Sequence, residues 1–462
     1  MRISRLIGIN FEVRPYLPSG EEDFCFGGER KGNDLLYMGR VAEQKDYDRA
    51  VYFDISGARV VAILGKRGSG KSYTLGALAE SISSNSGQIS SLQQKHAVLL
   101  LDTLNIFWTM IYEPSTKMLH ESIRNQLDGL EKWDLKPEKL SNVEVYIPAG
   151  FRTRSTPSVA KEFYISVAEI SPSDWSFLLR IDLFRDPMGQ LLNLAYEKVT
   201  LDGWQEGGKK TSPKKVYSVD DLIQCILKDD ELTSKRFGFH VNVRRALASK
   251  LRSIRAYDMF ASEGTEISLM VRPGITSILL LADLPTDLRC VVASVLFRKV
   301  LEFRREYSLT RKREIVGDLP AKLAESIGSV WVMIDEAQNI VPAEEYAIST
   351  PSLVELVRVG RNFGISVAIT TQQPSAIDQR LMAQVDTLIA HKLTVRSDID
   401  KIVSNEKTSP PQSIRYSTRD LDLQDVLRTL PIGYAIVSND ASPRDFIVQF
   451  RERVTVHGGF EV

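Results

Sequence analysis

The sequence predicts an α/β fold built on a mostly parallel sheet, with a short β region before it and a helical insertion within it. From Arg59 onward, short apolar runs alternate with segments whose apolar residues recur at helical spacing, which is typical of parallel strands joined by crossover helices. Apolar residues make up 43% of the 462 residues and charged residues 26%, as in folded globular chains.

The first 55 residues predict short strands and turns. Apolar runs lie at Ile3–Phe11, Leu35–Arg40 and Ala50–Phe53. We therefore predict a short N-terminal β region over residues 1–55.

Six apolar runs predict the strands of the core sheet, and helical periodicity predicts helices at Ser72–Ser84, Asp287–Tyr307 and Leu353–Val359. Gly433–Val437 and Phe446–Phe450 predict a closing hairpin. The core is thus expected over residues 56–115 and 270–462. The six strand candidates are Val60–Leu64, Ala97–Leu101, Ser277–Leu281, Val330–Ile334, Ser366–Thr371 and Thr387–Leu393.

Residues 116–269 are predicted to form a mostly helical insertion. Helical spacing is present over Ser158–Glu169, Trp175–Phe184 and Gln190–Lys198, and Gly207–Lys215 is typical of a flexible loop.

Charge and cysteine content narrow the class of protein. Lys+Arg and Asp+Glu both total 59, which argues mildly against a protein that simply coats nucleic acid. Three separated cysteines without metal-ligand spacing indicate a reduced, cytoplasmic compartment. No long apolar run predicts a membrane span, and the N-terminus lacks the apolar core of a signal peptide.

Residues 65–72, GKRGSGKS, match the phosphate-binding pattern G-x-x-x-x-G-K-[ST]. The glycines let backbone N–H groups turn toward phosphate oxygens, Lys71 would reach the β- and γ-phosphates, and Ser72 would ligate Mg²⁺. A chance match is the alternative, but this one lies between a predicted strand and a predicted helix. We therefore predict a site for ATP and Mg²⁺. Its nucleotide-binding residues would be Gly65, Gly68, Ser69, Gly70, Lys71, Ser72 and Tyr73.

The run VWVMIDEAQ ends a predicted strand in Asp335 and Glu336. Asp335 would hold the metal ion and Glu336 would activate the attacking water as a general base. Taken alone, the pair is a weak signal, and the alternative is a solvated strand end; together with the phosphate loop it predicts a nucleotide-hydrolysing site.

Two further residues follow the carboxylate pair. Gln372, at the end of the next predicted strand, is a candidate contact to the γ-phosphate or the water, and the alternative is an ordinary strand-end amide. Arg361 is a candidate arginine finger that would act across a subunit boundary, and the alternative is a surface cation.

With these residues placed, the chain resembles the HerA family of hexameric DNA-translocating ATPases, relatives of the FtsK and VirB4-type motors. The similar segments cover about residues 37–110 and 270–460. They are ILGKRGSGKSYT, VMIDEAQNIVP, VGRNFGISVAITTQQPSAID, LPIGYAIVSND and RERVTVHGG.

The resemblance implies a RecA-like P-loop ATPase core and a homo-hexamer with nucleotide between subunits and DNA in its channel. It implies catalytic roles for Lys71, Glu336 and Gln372, with Arg361 acting in trans. Two departures stand out. A family glutamate after the strand ending at Asp102 appears as Ile106, which leaves the role of Asp102 open. The N-terminal region is shorter than the family's β-barrel, which puts a barrel-docked nuclease in doubt.

An amphipathic helix is predicted at Val243–Tyr257. Arg244, Arg245, Arg252 and Arg255 fall on one face and are candidates for contacts to DNA phosphates that do not depend on base sequence. A solvated face or a subunit contact is an equally good interpretation. Lys209–Lys215 is a second candidate.

These observations predict a ring motor that translocates or unwinds DNA using ATP. The resemblance implies a nuclease or sirtuin-like effector as partner, and a role in antiviral defence. The alternative is a ring-shaped scaffold that uses ATP to switch an effector on. A secretion or conjugation ATPase would normally bring a membrane anchor, and the sequence predicts none.

Overall fold

A computed structural model describes the fold of most of the chain. Except for Phe11, the predicted strand at Ile3–Phe11 lies outside the described residues. Among the helices that are described, none is long and apolar enough to cross a bilayer. The described residues are 11–17, 23–28, 32–43, 49–84, 86–235, 238–320, 327–342, 346–405, 407–416 and 419–460.

Strands and helices alternate along most of the described chain. The strands are β1 (Phe11–Arg14), β2 (Phe24–Phe26), β3 (Leu35–Val41), β4 (Ala50–Asp54), β5 (Val60–Leu64), β6 (Ser90–Ser91), β7 (Lys95–Asp102), β8 (Val143–Pro148), β9 (Lys161–Phe163), β10 (Ile165–Ser166), β11 (Trp204–Glu206), β12 (Lys209–Thr211), β13 (Phe260–Ala261), β14 (Thr276–Leu280), β15 (Ile327–Ile334), β16 (Ile365–Thr371), β17 (Thr387–His391), β18 (Ser413–Tyr416), β19 (Arg419–Leu421), β20 (Tyr434–Asn439) and β21 (Phe446–Phe450). The α-helices are α1 (Lys71–Ser83), α2 (Glu121–Lys132), α3 (Pro172–Leu179), α4 (Pro187–Glu197), α5 (Val219–Lys228), α6 (Val241–Arg255), α7 (Ile267–Met270), α8 (Thr286–Ile315), α9 (Ser349–Gly360), α10 (Gln379–Met382), α11 (Arg396–Val403) and α12 (Leu423–Thr429).

One 14-stranded sheet forms the centre of the described fold. Its parallel part runs in the order β17-β5-β16-β15-β7-β14-β8-β9, and β20 and β21 extend it antiparallel beyond β17. The six predicted core strands, the three predicted helices and the closing hairpin are all present. The predicted α/β class with a mostly parallel sheet is confirmed.

The two faces of the sheet are covered by different helices. On β5, Val61 and Ile63 share an apolar cluster with Leu75 of α1, whereas Ala62 and Leu64 belong to the cluster that contains α8 and α9. All five residues of β5 are buried, as expected for a parallel strand with helices on both faces. Because the central strands are parallel, their carboxyl ends meet at one edge, where the phosphate loop lies.

Three of the described strands of the predicted N-terminal β region, β2, β3 and β4, continue the core sheet, whereas β1 pairs with β18 in a separate three-stranded sheet. Val41 of β3 lies opposite Val448 of β21, and β4 and β2 follow outward from β3. This pairing satisfies the backbone groups that β21 would otherwise expose at a sheet edge. The sequence did not predict that strands of the N-terminal β region would be continuous with the core sheet. The division of the chain into three domains stays a prediction.

Part of the segment 116–269 also belongs to the sheet. The predicted helix over Ser158–Glu169 is wrong, because residues 161–166 form β9 and β10, and β9 pairs with β8 at the sheet edge. Phe163 and Ile165 are buried while Glu162 and Tyr164 are exposed, which is the period of a strand. Two buried residues two apart were too short a pattern to recognise in the sequence.

The helices of this segment lie mainly after residue 171. α4 matches the predicted Gln190–Lys198. α3 overlaps the predicted Trp175–Phe184, but it begins earlier, at Pro172, and ends earlier, at Leu179. The predicted loop Gly207–Lys215 contains instead the second strand of the hairpin β11–β12. Gly207 and Gly208 turn this hairpin with φ of 57° and 79°, values that glycine adopts without strain.

Candidate active site

The phosphate-loop motif forms the turn between β5 and α1. Gly68 and Gly70 have φ of 73° and 110°, which side chains other than glycine rarely adopt. A Cβ atom at Gly65 would lie 2.5 Å from Ser69 Oγ, so this position has no room for a side chain. The three glycines therefore explain how the chain reverses tightly enough to surround an anion.

The carbonyl of Lys66 holds the loop together. It accepts hydrogen bonds from the Ser69 N–H at 3.2 Å, the Ser69 hydroxyl at 2.8 Å and the Lys71 ammonium at 3.2 Å. Burial lowers the pKa of Lys71. The loop is thus closed around a buried ammonium group, at the N-terminus of a helix, where an anion is favoured.

The carboxylate pair lies against this loop. Ser72 Oγ donates a hydrogen bond to Asp335 Oδ1 at 2.9 Å, and Lys71 Nζ lies 3.7 Å from Glu336 Oε1. The two halves of the predicted site are 263 residues apart in the chain and meet because β15 and β5 flank β16.

Asp335 and Ser72 fit a magnesium ion. Asp335 Oδ2 is buried and has no hydrogen-bond partner among the described residues, and burial raises the pKa of this carboxyl to about 6. A carboxylate oxygen and a hydroxyl are the hard oxygen ligands that Mg²⁺ takes beside a phosphate group. Bound there, Mg²⁺ would supply positive charge to the phosphates and favour the ionised form of Asp335.

The Glu336 carboxylate is held by two hydrogen bonds and one ion pair. Its Oε1 accepts a hydrogen bond from Gln372 Nε2 at 2.8 Å and faces Lys71, while Oε2 accepts from Gln338 Nε2 at 2.6 Å. Its backbone has φ of 50°, which turns the chain sharply after β15. The structure therefore brings both Lys71 and Gln372 to the same oxygen of Glu336.

Thr370 and Gln338 belong to this cluster and were missed in the sequence. Thr370 Oγ1 donates to Asp335 Oδ1 at 2.7 Å and accepts the Glu336 N–H at 2.8 Å. The signal for Thr370 was a hydroxyl residue near the carboxyl end of a predicted buried strand. For Gln338, the only signal in the sequence was its position two residues after the proposed base, Glu336.

Asp102 holds the turn that follows β7. Its carboxylate accepts the Leu104 N–H at 3.1 Å and the Phe107 N–H at 2.8 Å, and burial raises its pKa to about 7. This turn places Leu104 and Ile106 on the rim of the site. The Asp102 carboxylate therefore stabilises the turn that contains Ile106, the position at which this chain departs from the family pattern.

The phosphate loop opens into a cleft of about 950 Å³, a volume that accommodates a nucleoside triphosphate. Residues 451–460, which we call the strap, contribute to the wall of the cleft, together with Ile432 and Gly433. Tyr73 contacts the strap: its hydroxyl donates to the Glu452 carboxylate and its ring centroid is 4.9 Å from that of His457. The sequence identified the strap only as a similar segment and did not place it at the site.

A buried carboxylate fastens the strap to α1. Glu80 accepts hydrogen bonds from Arg451 Nη1 at 2.6 Å, the Val454 N–H at 3.0 Å and Thr455 Oγ1 at 2.8 Å. Glu80 and the guanidinium groups of Arg451 and Arg453 are all fully buried. The cleft wall is therefore tied to the same helix that begins with Lys71.

A family model for the central domain of the helicase HerA matches residues 36–300, more than half of the chain. The chain belongs to the HerA family. This confirms the resemblance carried by the sequence motifs.

Individual HerA relatives are distant and longer. The DNA double-strand break repair helicase HerA of Pyrococcus furiosus is 21% identical over 307 residues, which are 60% of this chain and 52% of that protein. The HerA helicase of Saccharolobus solfataricus is 20% identical over 270 residues, 58% and 49% of the two chains. This chain therefore spans about half the length of the curated relatives it matches.

The fold is also found in a protein from outside the HerA relatives. The structure of VirB4 of Thermoanaerobacter pseudethanolicus aligns with a TM-score of 0.51 at 12% identity and covers 90% of this chain and 96% of that one. The implied RecA-like P-loop ATPase fold is confirmed.

Arg361, the candidate arginine finger of this HerA chain, lies at the opposite edge of the sheet from the phosphate loop. It precedes β16, whose far end adjoins Gly65 through a 3.3 Å bond from the Gly65 N–H to the Thr371 carbonyl. Seven strand residues separate the two edges, about 23 Å. The Arg361 side chain is 53% exposed and pairs with Asp386 at 2.9 Å. It is therefore not part of the cluster at its own loop.

The predicted arginine-bearing helix is present as α6, with Leu247, Leu251 and Ile254 buried. Arg245 and Arg252 are exposed, and Arg255 is exposed and pairs with Asp220 at 2.7 Å. Arg244 is only partly exposed, since it donates to the carbonyls of Phe239 and Leu227. Three of the four arginines thus reach the surface.

Proposed function

We propose that this chain binds Mg²⁺-ATP in the cleft, hydrolyses it, and uses the turnover to move DNA through a ring of six copies. The observation that carries the proposal is the meeting of Ser72 with Asp335 and of Lys71 with Glu336 beside the glycine turn. This is the set of groups that phosphoryl transfer to water requires.

The chemistry follows from the positions of the side chains. Glu336 accepts a proton from water, the water oxygen bonds to the γ-phosphorus, and the bond from that phosphorus to the ADP oxygen breaks. Lys71 offsets negative charge on the phosphate oxygens. Gln372 exchanges its hydrogen bond with Glu336 for one with the γ-phosphate or the water, so that it reports the nucleotide state.

The ring is part of the proposal because Arg361 is far from its own phosphate loop. In a ring, the Arg361 of one copy would lie at the nucleotide of the next and stabilise charge in the transition state. Its pairing with Asp386 would then be a resting contact that assembly replaces.

DNA contact is proposed for the exposed basic groups of α6. Arg245 and Arg252 are not paired with an acidic group among the described residues, and they would contact phosphates. The exposed lysines of the hairpin, Lys209 and Lys210, are a second candidate surface. Binding through such contacts depends on salt and little on base sequence.

A separate effector completes the proposal. By resemblance to bacterial HerA systems, we propose that a nuclease or a sirtuin-like enzyme works with the ring in the cytoplasm, in defence against phage. The helicase names of the HerA relatives support the motor, and the choice of effector rests on the resemblance alone.

The deciding experiment measures ATP turnover with no DNA, single-stranded DNA and duplex DNA, together with the native mass of the protein. A motor should be stimulated by DNA and should have the mass of six copies. Lys71→Ala should abolish nucleotide binding, and Glu336→Gln should bind ATP without hydrolysing it. The ATP-switched scaffold would instead be supported if DNA did not change the ATP turnover of the ring and if the Glu336→Gln variant still activated the effector. A fully active monomer would refute the ring.

A further inference from the structure

Arg67 lies in the phosphate loop and takes no part in the steps of hydrolysis proposed for Lys71, Glu336 and Gln372. Its side chain is exposed, lines the cleft, and has no hydrogen bond or ion pair with the rest of the described chain. The loop is fixed on both sides, because the Lys66 carbonyl binds Ser69 and the Lys66 N–H donates to the Lys392 carbonyl at 2.9 Å. Arg67 is therefore an exposed cation on an anchored stretch of backbone.

The position of Arg67 in the loop places it at the end of the cleft where the γ-phosphate would bind. The loop starts beside Thr371, one residue from Gln372, and then runs through Gly70 toward Tyr73 and the strap. Since Gln372 contacts Glu336, the start of the loop is the end at which water is activated. Arg67 precedes the helix, whose N-terminus would hold the phosphates nearer the ribose.

The charges of the cleft also favour this role. Of the cations that line the cleft, Lys71 already faces Glu336, and Arg451 is buried and bonded to Glu80. The imidazole of His457 is neutral, since burial lowers its pKa to about 3. In the proposed ATP complex, the carboxylates of Asp335 and Glu336 would lie at the same end as the γ-phosphate. An additional positive charge is needed there when negative charge spreads over the transferring phosphoryl group.

We propose that Arg67 is a catalytic residue that binds the γ-phosphate of the ATP held by its own loop, and stabilises the charge of the transition state from within the same subunit. This rests on the proposed ATP hydrolysis. It differs from the role of Arg361, which would reach a neighbour's nucleotide.

The first test compares Arg67→Ala and Arg67→Lys with Lys66→Ala. Lys66 is the matched control, since its side chain is an exposed cation on the same loop but does not line the cleft. We expect Arg67→Ala to lower kcat about 10- to 1,000-fold with the ATP dissociation constant unchanged within about threefold, and Arg67→Lys to lie between. Lys66→Ala removes only that exposed side chain, keeps the backbone carbonyl that closes the loop, and should match the wild type. Unchanged kcat in Arg67→Ala, or a raised dissociation constant with unchanged kcat, would overturn the proposal.

The second test separates action within a subunit from action between subunits. If Arg67 serves its own nucleotide, mixtures of Arg67→Ala with Lys71→Ala contain no complete site and show no more than the residual activity of Arg67→Ala. If Arg67 served the neighbouring nucleotide, the Lys71→Ala subunit would donate its intact Arg67 and activity would return. Recovery in these mixtures would therefore contradict the proposal.

A third measurement does not depend on turnover. The complex of ADP with aluminium fluoride imitates the transferring phosphoryl group, so Arg67→Ala should weaken its binding about tenfold or more and leave ADP binding unchanged. Equal affinities would refute the role of Arg67 even if the chain proved not to be a DNA motor. A wild-type protein that binds the complex but is not stimulated by DNA would contradict only the proposed function.

Discussion

Gln372 Nε2 donates a hydrogen bond to Glu336 Oε1 over 2.8 Å, while Lys71 Nζ approaches the same oxygen to 3.7 Å. The carboxylate proposed to activate water is thus engaged by the two side chains proposed to bind the γ-phosphate. A γ-phosphate would compete with Glu336 for both donors. The general base would then become available for water only when the nucleotide is present, with Gln338 still holding its other oxygen.

Gln372→Ala should separate binding from hydrolysis. We expect ATP affinity to stay within about threefold of the wild type and kcat to fall about 10- to 100-fold, because the water and the γ-phosphate lose a donor. Steady-state kinetics with a nucleotide-binding assay measures both. Gln373→Ala is the control, since Gln373 is the exposed neighbour outside the cleft. Equal kcat values for the two variants would disprove the role of Gln372.

Thr370→Val should weaken the metal site and the fold together. The substitution removes the 2.7 Å donor to Asp335 and the acceptor of the Glu336 N–H, so we expect a loss of about 1–3 kcal/mol in unfolding free energy. The Mg²⁺ concentration for half-maximal turnover should rise. Urea unfolding and a Mg²⁺ titration measure these effects.

The control for Thr370→Val is Thr371→Val, one residue along the same buried strand. The Thr371 hydroxyl accepts the Gln373 N–H and does not bond to the carboxylate pair. The Thr371→Val substitution should lower the unfolding free energy by about 1 kcal/mol and leave the Mg²⁺ dependence of turnover unchanged. If both variants shifted the Mg²⁺ dependence equally, the bond from Thr370 to Asp335 would not be the cause.

The core of the fold could be predicted because its strands are buried on both faces. Val60–Leu64 is a continuous apolar run, and Ser366–Thr371 contains no charged residue. Such segments are typical of buried strands in a parallel sheet, and the structure reproduces both within a residue. The phosphate loop and the Asp335–Glu336 pair were also visible, since each is a local pattern of residue types.

The rest of the site depends on contacts between distant segments. The strap residue Arg451 becomes a cleft residue only because it bonds Glu80, 371 residues earlier. A hydroxyl such as that of Thr370 acquires its role from the strand beside it. No local periodicity predicts either contact, and the short strands β8 and β9 were likewise hidden among helical patterns.

Arg361→Ala should leave ATP binding intact and abolish turnover in a uniform ring. Because Arg361 would act on the next subunit, mixing this variant with Lys71→Ala should restore some activity. Turnover assays across mixing ratios measure the recovery. Arg358→Ala, which removes an exposed arginine one turn earlier on α9, should behave like the wild type. Mixtures that remain inactive would argue against a role across subunits.

Asp102 should make stability depend on pH. Its pKa in the folded protein is about 7, against about 3.9 for an exposed aspartate, so between these values the folded chain holds a proton that the unfolded chain releases. The unfolding free energy therefore falls as pH rises from about 4 to 7, by up to about 4 kcal/mol from this group. Asp102→Asn cannot ionise and should flatten this dependence while losing about 1 kcal/mol at low pH. Urea unfolding at pH 5 and pH 8 tests this, and parallel slopes for the two proteins would contradict it.

Glu80→Gln should release the strap from α1. The substitution leaves the guanidinium groups of Arg451 and Arg453 buried without a counter-charge, which typically destabilises a fold by about 3–5 kcal/mol. Because the strap forms a wall of the cleft, ATP affinity should fall as well, whereas the affinity for inorganic triphosphate, which needs only the loop, should not. Glu452→Gln is the control, because this partly exposed residue can still accept the Tyr73 hydroxyl. Equal losses for ATP and triphosphate in Glu80→Gln would mean that the strap supports the loop and does not contact the nucleoside.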